Sequence, residues 1–224
     1  IIGRLVGSEM CIRDRQKITL VTYTSNDAKF NFSRMNFFRH IVTHVGDIWV
    51  VDAHSNGFEK NSTETRQEYE SRVLNKIISV VLGGDVERCH ESNGAPFIAN
   101  YPTLQVSISH SEHWFAVYLS NGPRVGVDIE LATHQLEGRG NYFLQDLEME
   151  RLQPTIEQLQ ICWGIKEAVY KLFKGELDSL KHDIEITSLL ESTATAICKN
   201  KVIQLNHQQE ESYTLVYTHQ SSLV

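Results

Sequence analysis

Long apolar runs, paired cysteines and an excess of basic charge are all missing from this chain of 224 residues. No stretch approaches the roughly 18 apolar residues of a membrane span, so we expect no transmembrane segment. The four cysteines are far apart and form no CxxC pair, which favours reduced thiols in a cytoplasmic protein over disulfides or a zinc site. The formal net charge of −7 argues against a general nucleic-acid binder.

The first segment, residues 1–16, has no uninterrupted apolar core, because charged residues divide it. It therefore does not have the pattern of a signal peptide. The string "IIGRLVGSEMCIRDRQ" resembles translated sequencing-adapter sequence, so we expect it to be extraneous and leave it out of the fold prediction.

The first half of the remaining chain mixes strand and helix patterns. Residues 17–25 alternate, "DIWVVD" is short and apolar, and "LQVSISHSEHWFAVYLS" contains two more strand patterns. Residues 30–45 are aromatic-rich and fit either a helix or a strand. Thr65 and Glu68 form a capping-box pattern at the start of a helix that Gly83 and Gly84 should end. The turn at residues 121–123 should join the last strand to "RVGVDIE" as its hairpin partner.

The second half repeats this order of elements without repeating residues. A helix should begin after Pro154, with Thr155 and Gln158 as its cap, and end at Gly175. Residues 194–219 should form two or three antiparallel strands. We therefore expect an α+β fold with two similar lobes, at residues 17–121 and 122–224, each built from an antiparallel sheet and one main helix.

Two short segments carry acidic side chains in an ordered pattern. In "VGVDIE", Asp128 and Glu130 fall on one face of a strand, roughly 7 Å apart. In "CWGIKEAVYKLFKG", Trp163, Glu167 and Lys171 fall on one face of a helix. Either segment alone has an ordinary interpretation, since exposed strands carry acids and Glu–Lys pairs at i, i+4 are common on helix surfaces.

The two segments in combination resemble the phosphopantetheinyl transferases of the surfactin-synthetase-activating type. That family has G-[VI]-D-x-E on a strand, followed by W-x-x-K-E-[AS]-x-x-K on a helix. "SISHSEHWFAV" resembles the family's S-H-S segment, and Arg72 matches an arginine near the start of the corresponding helix. The resemblance extends from about residue 66 to residue 175 in a consistent order, and motifs in order are more specific than any one alone.

The resemblance implies transfer of 4′-phosphopantetheine from coenzyme A to a serine of an apo carrier protein. The other product is adenosine 3′,5′-bisphosphate. Magnesium, with manganese as an alternative, would be held by Asp128, Glu130 and Glu167, because magnesium prefers a few carboxylates and completes its shell with water and phosphate. Gly126, on the same face, would leave room for a ligand to approach the backbone.

The remaining roles are implied in the same way. Asp128, Lys166 and Glu167 would be catalytic, with Glu167 or a metal-bound water as general base for the incoming serine. Lys166 and Lys171 would contact the phosphates or the pantetheine arm. Ser109 and His110 would contact the nucleotide's phosphates, and Arg72 its 3′-phosphate, since a guanidinium binds phosphate bidentately. Trp163 should pack beneath the site.

Two positions depart from the family pattern. Ala95 replaces the lysine of a Gly-Lys-Pro loop, so a phosphate contact is missing or comes from Lys76 or Arg88. Gly164 stands where the family prefers a small hydroxyl residue or cysteine, at a helix-propensity cost of about 1 kcal/mol relative to alanine.

Four alternatives remain open from the sequence. The chain could be a non-catalytic relative that binds coenzyme A or a carrier protein, or an unrelated magnesium-dependent phosphatase or nuclease. His110 could belong to a hydrolase triad, although "SISHS" is not a G-x-S-x-G elbow. His110 and His113 could bind zinc, although no further ligand pair stands at suitable spacing. The resemblance also implies a monomer, with the site in the cleft between the two lobes.

Overall fold

The computed structural model of this chain describes residues 39–132 and 136–223. The segment at 1–16 and the predicted strand at 17–25 lie outside the described residues. Most of the aromatic-rich segment lies outside them too, and its last part forms a strand. Secondary structure follows the α+β prediction, because every sheet is antiparallel and two long helices pack on them.

The first sheet has four strands in the order β1-β2-β6-β5. One main helix and a two-stranded β3-β4 hairpin accompany it. The bounds of these elements are β1 Arg39–Val42, β2 Asp47–Asp52, α1 Arg66–Leu82, β3 Arg88–His90, β4 Pro96–Ile98, β5 Gln105–Ser111 and β6 Trp114–Ser120.

The second sheet has five strands in the order β7-β11-β10-β9-β8. Its main helix is α3, and a short 3-10 helix at Gly140–Tyr142 precedes α2. The bounds are β7 Val127–Leu131, α2 Asp146–Leu152, α3 Ile156–Leu172, α4 Leu180–Asp183, β8 Ile184–Leu189, β9 Thr193–Cys198, β10 Lys201–Gln209 and β11 Tyr213–Leu223. The predicted antiparallel strands of the tail are confirmed as β9, β10 and β11.

The caps of the two long helices are confirmed. Thr65 and Glu68 form the predicted capping box of α1, and Gly83 ends that helix in the left-handed conformation with φ of 72°. Thr155 and Gln158 cap α3 in the same way. The helix ends at Leu172, earlier than predicted, and Gly175 supplies a left-handed turn just beyond it.

Strand β7 is not the hairpin partner of β6, so that prediction is wrong. It pairs instead with β11 of the second sheet, where Asp128 lies opposite Val216. Its other edge faces β5, and serine side chains span the gap. Ser107 Oγ accepts a hydrogen bond from the Val127 N–H at 3.0 Å, and Ser111 Oγ accepts one from the Leu131 N–H at 3.1 Å. We call this joint the serine seam.

Three apolar cores stack through the molecule. Helix α1 packs on one face of the first sheet, α3 packs on one face of the second, and the remaining faces of the two sheets pack on each other. Ile48, Tyr118, Ile129 and Tyr213 are fully buried in that central core. No helix within the described ranges combines the length and the apolar character needed to cross a lipid bilayer.

Candidate active site

Three elements that are distant in sequence meet at one pocket beside the serine seam. Strand β5 contributes the "SHS" segment, β7 contributes the "GVDIE" acids, and α3 contributes one face. The pocket has a volume of about 290 Å³. Its lining residues are Ile108, Ser109, His110, Asp128, Glu130, Trp163, Glu167 and Lys171.

Asp128 lies at the base of this pocket, with only 3% of its surface exposed. Its Oδ1 accepts hydrogen bonds from Ser109 Oγ at 2.8 Å and from Lys171 Nζ at 2.6 Å. Its Oδ2 is buried without a hydrogen-bond partner among the described residues. A buried carboxylate oxygen that accepts nothing is costly, so this atom marks a position at which a ligand would be stabilised.

Glu130 stands two residues further along the same strand face. Its Oε2 accepts a hydrogen bond from Ser111 Oγ at 3.0 Å, and its Oε1 accepts one from Trp163 Nε1 at 3.4 Å. Burial and the nearby Asp128 carboxylate raise the pKa of Glu130, and these two hydrogen bonds only partly oppose the shift.

Glu167 approaches the two strand acids from α3. Burial, followed by the charge of Asp128, raises the pKa of Glu167 to about 7, although Lys171 lowers it. Lys171, four residues after Glu167 on α3, is therefore not an isolated surface lysine. Lys171 instead forms its ion pair with Asp128, which joins α3 to β7.

Ser109 and His110 reach the pocket in different ways. Ser109 donates to Asp128 and also accepts a hydrogen bond from Lys171 Nζ at 2.8 Å, so its hydroxyl connects the acid to the lysine. His110 lies 3.5 Å from Glu70 Oε2, and its Nδ1 is buried without a partner in the part of the chain that the structure describes. Burial lowers the pKa of His110, which favours the neutral ring.

The carboxylates of Asp128, Glu130 and Glu167 are suitable ligands for a divalent cation, but their oxygens do not lie close together. Among the described residues, the only group of three with possible metal-ligand atoms all within 4.8 Å of one another is Asp52, His54 and His113. The carboxylates of Asp128, Glu130 and Glu167 therefore stand further apart, as expected of like charges without a cation. The unpartnered Asp128 Oδ2 and the raised pKa values of both glutamates are what a divalent cation would relieve.

Two glycines explain how closely α3 approaches the second sheet. A Cβ atom at Gly126 would lie 1.9 Å from the Ala168 carbonyl oxygen, and one at Gly164 would lie 2.7 Å from Val216 Cγ2. The space beside Gly126 is thus filled by the α3 backbone, and the prediction that a ligand occupies it is wrong. Gly164 likewise permits helix–sheet contact, which holds Glu167 against β7.

A second cavity of about 210 Å³ lies beside the first, and Lys171 and Ile108 line both. Ala95, from the loop that departs from the family pattern, lines this cavity together with Tyr170 and Lys174. Lys174 forms an ion pair with Glu91. The missing loop lysine therefore coincides with a place where the turn after α3 supplies a cation.

Lys166 does not reach either cavity, which corrects its predicted contact with phosphate or pantetheine. Its side chain is fully buried on another face of α3, and its Nζ lies 2.8 Å from Glu148 Oε1. Nζ also donates to the Ile184 carbonyl oxygen. Burial lowers the pKa of Lys166, and Glu148 partly restores it. A lysine without solvent access cannot meet a substrate, so we withdraw the catalytic and cofactor roles predicted for it.

Arg72 is also engaged elsewhere. Its Nε donates to Glu64 Oε1 at 2.8 Å, and its Nη2 donates to Glu64 Oε2 and to the Glu59 carbonyl oxygen. The guanidinium lies over the Tyr69 ring, 5.5 Å from its centroid. Since Arg72 lines neither cavity, the structure does not bring it to the site, and its predicted 3′-phosphate contact has no support from the geometry.

Sequence reasoning missed two partners of Glu130. Ser111 continues the alternation of Ser107 and Ser109 along β5, and that period of two could have identified it. Trp163 was expected to pack beneath the site, yet its indole N–H points at Glu130. Trp163 does also pack against Phe143, with ring centroids 5.4 Å apart.

No family model and no curated protein matches this chain. The likeness to the phosphopantetheinyl transferases therefore rests on the motif residues themselves and on the pocket that they line.

Proposed function

We propose that this protein transfers the 4′-phosphopantetheine arm of coenzyme A to a serine of an apo carrier protein. The observation that carries the proposal is the convergence of Ser109, Asp128 and Glu167 on one pocket. Each belongs to a different motif of the family resemblance, and nothing in local sequence requires those motifs to meet.

The acids of the pocket suit magnesium. Asp128, Glu130 and Glu167 would hold the cation, which would supply positive charge to the pyrophosphate of coenzyme A. Two of the three acids sit on a rigid strand and the third on a helix, so the protein fixes their direction before substrate arrives. Manganese is the alternative metal, because it accepts the same oxygen ligands.

The paired cavities suit the two parts of coenzyme A. Lys171 lines both cavities and Lys174 lines the second, so both ammonium groups can face phosphate. Their present partners, Asp128 and Glu91, keep these buried or half-buried charges balanced. His110, on the β5 side, offers a neutral imidazole to the nucleotide.

The general base in this proposal is Glu167 or a water held by the cation. The carrier serine gives its hydroxyl proton to this base while its oxygen bonds to the phosphorus that bears the pantetheine arm. The bond from that phosphorus to adenosine 3′,5′-bisphosphate then breaks. Lys171 lies next to the charge that develops during this transfer.

The proposal includes the chain organisation. Lobes at residues 17–121 and 122–224 would form a pseudo-dimer with the site between them, and a monomer would suffice. Two features support this: each sheet has one long capped helix, and the pocket draws residues from both sheets. We also propose a cytoplasmic location, where coenzyme A and carrier proteins occur together.

A non-catalytic relative of the same fold is the second candidate. The observation that favours it is the Lys171–Asp128 ion pair, which occupies Asp128 Oδ1, one of the expected metal-ligand oxygens. Ala95 adds to it, because that position lacks the family's loop lysine.

One assay separates these candidates. The purified protein is incubated with coenzyme A, magnesium and a panel of apo carrier proteins, and the intact mass of each carrier is measured. A mass gain equal to the phosphopantetheine arm supports transfer. Binding of coenzyme A or carrier without mass gain supports the non-catalytic relative, and the absence of both contradicts the proposal.

A further inference from the structure

A cluster of two histidines and an aspartate lies away from the pocket, at the end of the first sheet. Asp52 is the last residue of β2, His54 lies in the turn that follows, and His113 lies in the turn between β5 and β6. The Ala53 N–H donates to the His113 carbonyl oxygen at 2.8 Å, which holds the two turns together. None of the three residues lines the candidate active site.

The side chains of this cluster converge. The imidazole rings of His54 and His113 stack with centroids 4.4 Å apart, and one ligand atom from each of the three residues lies within 4.8 Å of the others. This is the only such group in the described ranges.

Asp52 is oriented by its neighbours. Its Oδ1 accepts hydrogen bonds from the His54 N–H at 2.9 Å and the Ser55 N–H at 3.4 Å, and its Oδ2 accepts one from Ser55 Oγ. These hydrogen bonds fix the direction of the Asp52 carboxylate within the turn.

The chemistry of the donors selects the metal. Two imidazole nitrogens and one carboxylate suit zinc, nickel or copper, whereas magnesium and calcium prefer oxygen ligands only. Zinc accepts four ligands, so three protein ligands leave one position for water or another group. The site is half-buried to exposed, which leaves that fourth position accessible.

We infer that Asp52, His54 and His113 form a binding site for a divalent transition metal, with zinc as the expected ion. The site would link two turns that are far apart in sequence. A metal that binds the folded chain and not the unfolded one stabilises the fold, so zinc would raise the melting temperature. This site is independent of the proposed transferase activity.

The test uses the full chain without a polyhistidine tag, after treatment with a chelator. Zinc is titrated by calorimetry into the wild type and into His54→Ala, His113→Ala and Asp52→Asn. Loss of one ligand should weaken binding at least about tenfold. His182→Ala is the matched control, because His182 is an exposed histidine on α4. The zinc affinity of this variant should equal that of the wild type.

A second readout tests the ligands directly. Copper(II) bound to the wild type should give an electron paramagnetic resonance spectrum with coupling to two nitrogens, reduced to one in either histidine variant. Melting in the presence of chelator checks that each variant folds. Zinc affinity that is equal in the wild type and the His54→Ala/His113→Ala double variant overturns the inference, as does a wild type that binds no zinc.

Discussion

Helix α3 carries charged side chains into two buried places with opposite character. On one face, Lys166 and Glu148 form a closed pair that is shut off from solvent and completed by backbone carbonyl groups. On another face, Glu167 and Lys171 meet Asp128 and Glu130 of β7. We call these four residues the open cluster, and they line a pocket.

The difference between the two places lies in how completely their charges are satisfied. The Lys166 ammonium and the Glu148 carboxylate each have several partners, and their charges cancel. The open cluster contains three acids and one lysine, an unpartnered Asp128 Oδ2, and a Glu167 whose pKa is raised to about 7. Buried charges with a full set of partners stabilise the fold, whereas buried charges that lack partners beside a pocket indicate a ligand-binding site.

The largest expected effect comes from breaking the closed pair. Lys166→Met should lower the free energy of unfolding by about 3–5 kcal/mol, because it leaves the Glu148 carboxylate buried without its partner. Urea unfolding measures the loss. Lys166→Met combined with Glu148→Leu should recover part of it, and a single variant as stable as the wild type would contradict the structural role of this pair.

Removing a charge from the open cluster should cost activity far more than stability. Asp128→Asn should reduce carrier modification at least about a hundredfold, equal to about 2.7 kcal/mol of transition-state stabilisation. Its free energy of unfolding without magnesium should change less than that of Lys166→Met, because the lost ion pair with Lys171 is offset by weaker repulsion among the three acids. Intact-mass kinetics and urea unfolding check the two parts, and near-normal turnover would show that Asp128 is not in the site.

The stability of the open cluster should depend on pH in a defined direction. The folded-state pKa of Glu167, about 7, exceeds its ordinary value of 4.5. Its contribution is therefore fully present below about pH 4.5 and is lost as the pH rises through about 7, a total change on the order of 3 kcal/mol. Unfolding of the wild type and Glu167→Gln should be compared from pH 5 to 8. The fall should be smaller in the variant, and parallel curves would be inconsistent with a perturbed Glu167.

The smallest expected effect concerns the contact between α3 and the second sheet. Gly164→Ala should lower the free energy of unfolding by about 1 kcal/mol, because overpacking against Val216 outweighs the gain in helix propensity. A cycle with Val216→Ala should give a favourable coupling energy between the two substitutions. If Gly164→Ala instead stabilises the chain, the close contact is wrong.

Sequence reasoning succeeded where a signal is local. The caps at Thr65 and Thr155 and the strand acids Asp128 and Glu130 each follow from spacing within a few residues. It failed where the outcome depends on long-range pairing. Strand β7 follows a turn like a hairpin strand, yet it pairs with β11, which lies more than 80 residues further along the chain.

The two lysines of the helix motif show the same limit. Lys166 and Lys171 both fit the pattern of a phosphate ligand, but their faces of α3 meet different neighbours. Only tertiary structure reveals that Glu148, from α2, draws Lys166 inward. The cluster of Asp52, His54 and His113 was missed for a similar reason, since His54 and His113 become neighbours only when β2 and β6 pair.

The serine seam has a consequence for how the molecule responds to change. Hydroxyl groups of β5 both fasten the two sheets and steer the acids, because Ser109 contacts Asp128 and Ser111 contacts both Glu130 and the β7 backbone. A displacement of β5 along β7 would therefore act on the carboxylates directly, through a single hydrogen bond. The same few hydroxyl oxygens therefore join the two sheets and orient the acids, so the packing of the sheets and the direction of the carboxylates depend on each other.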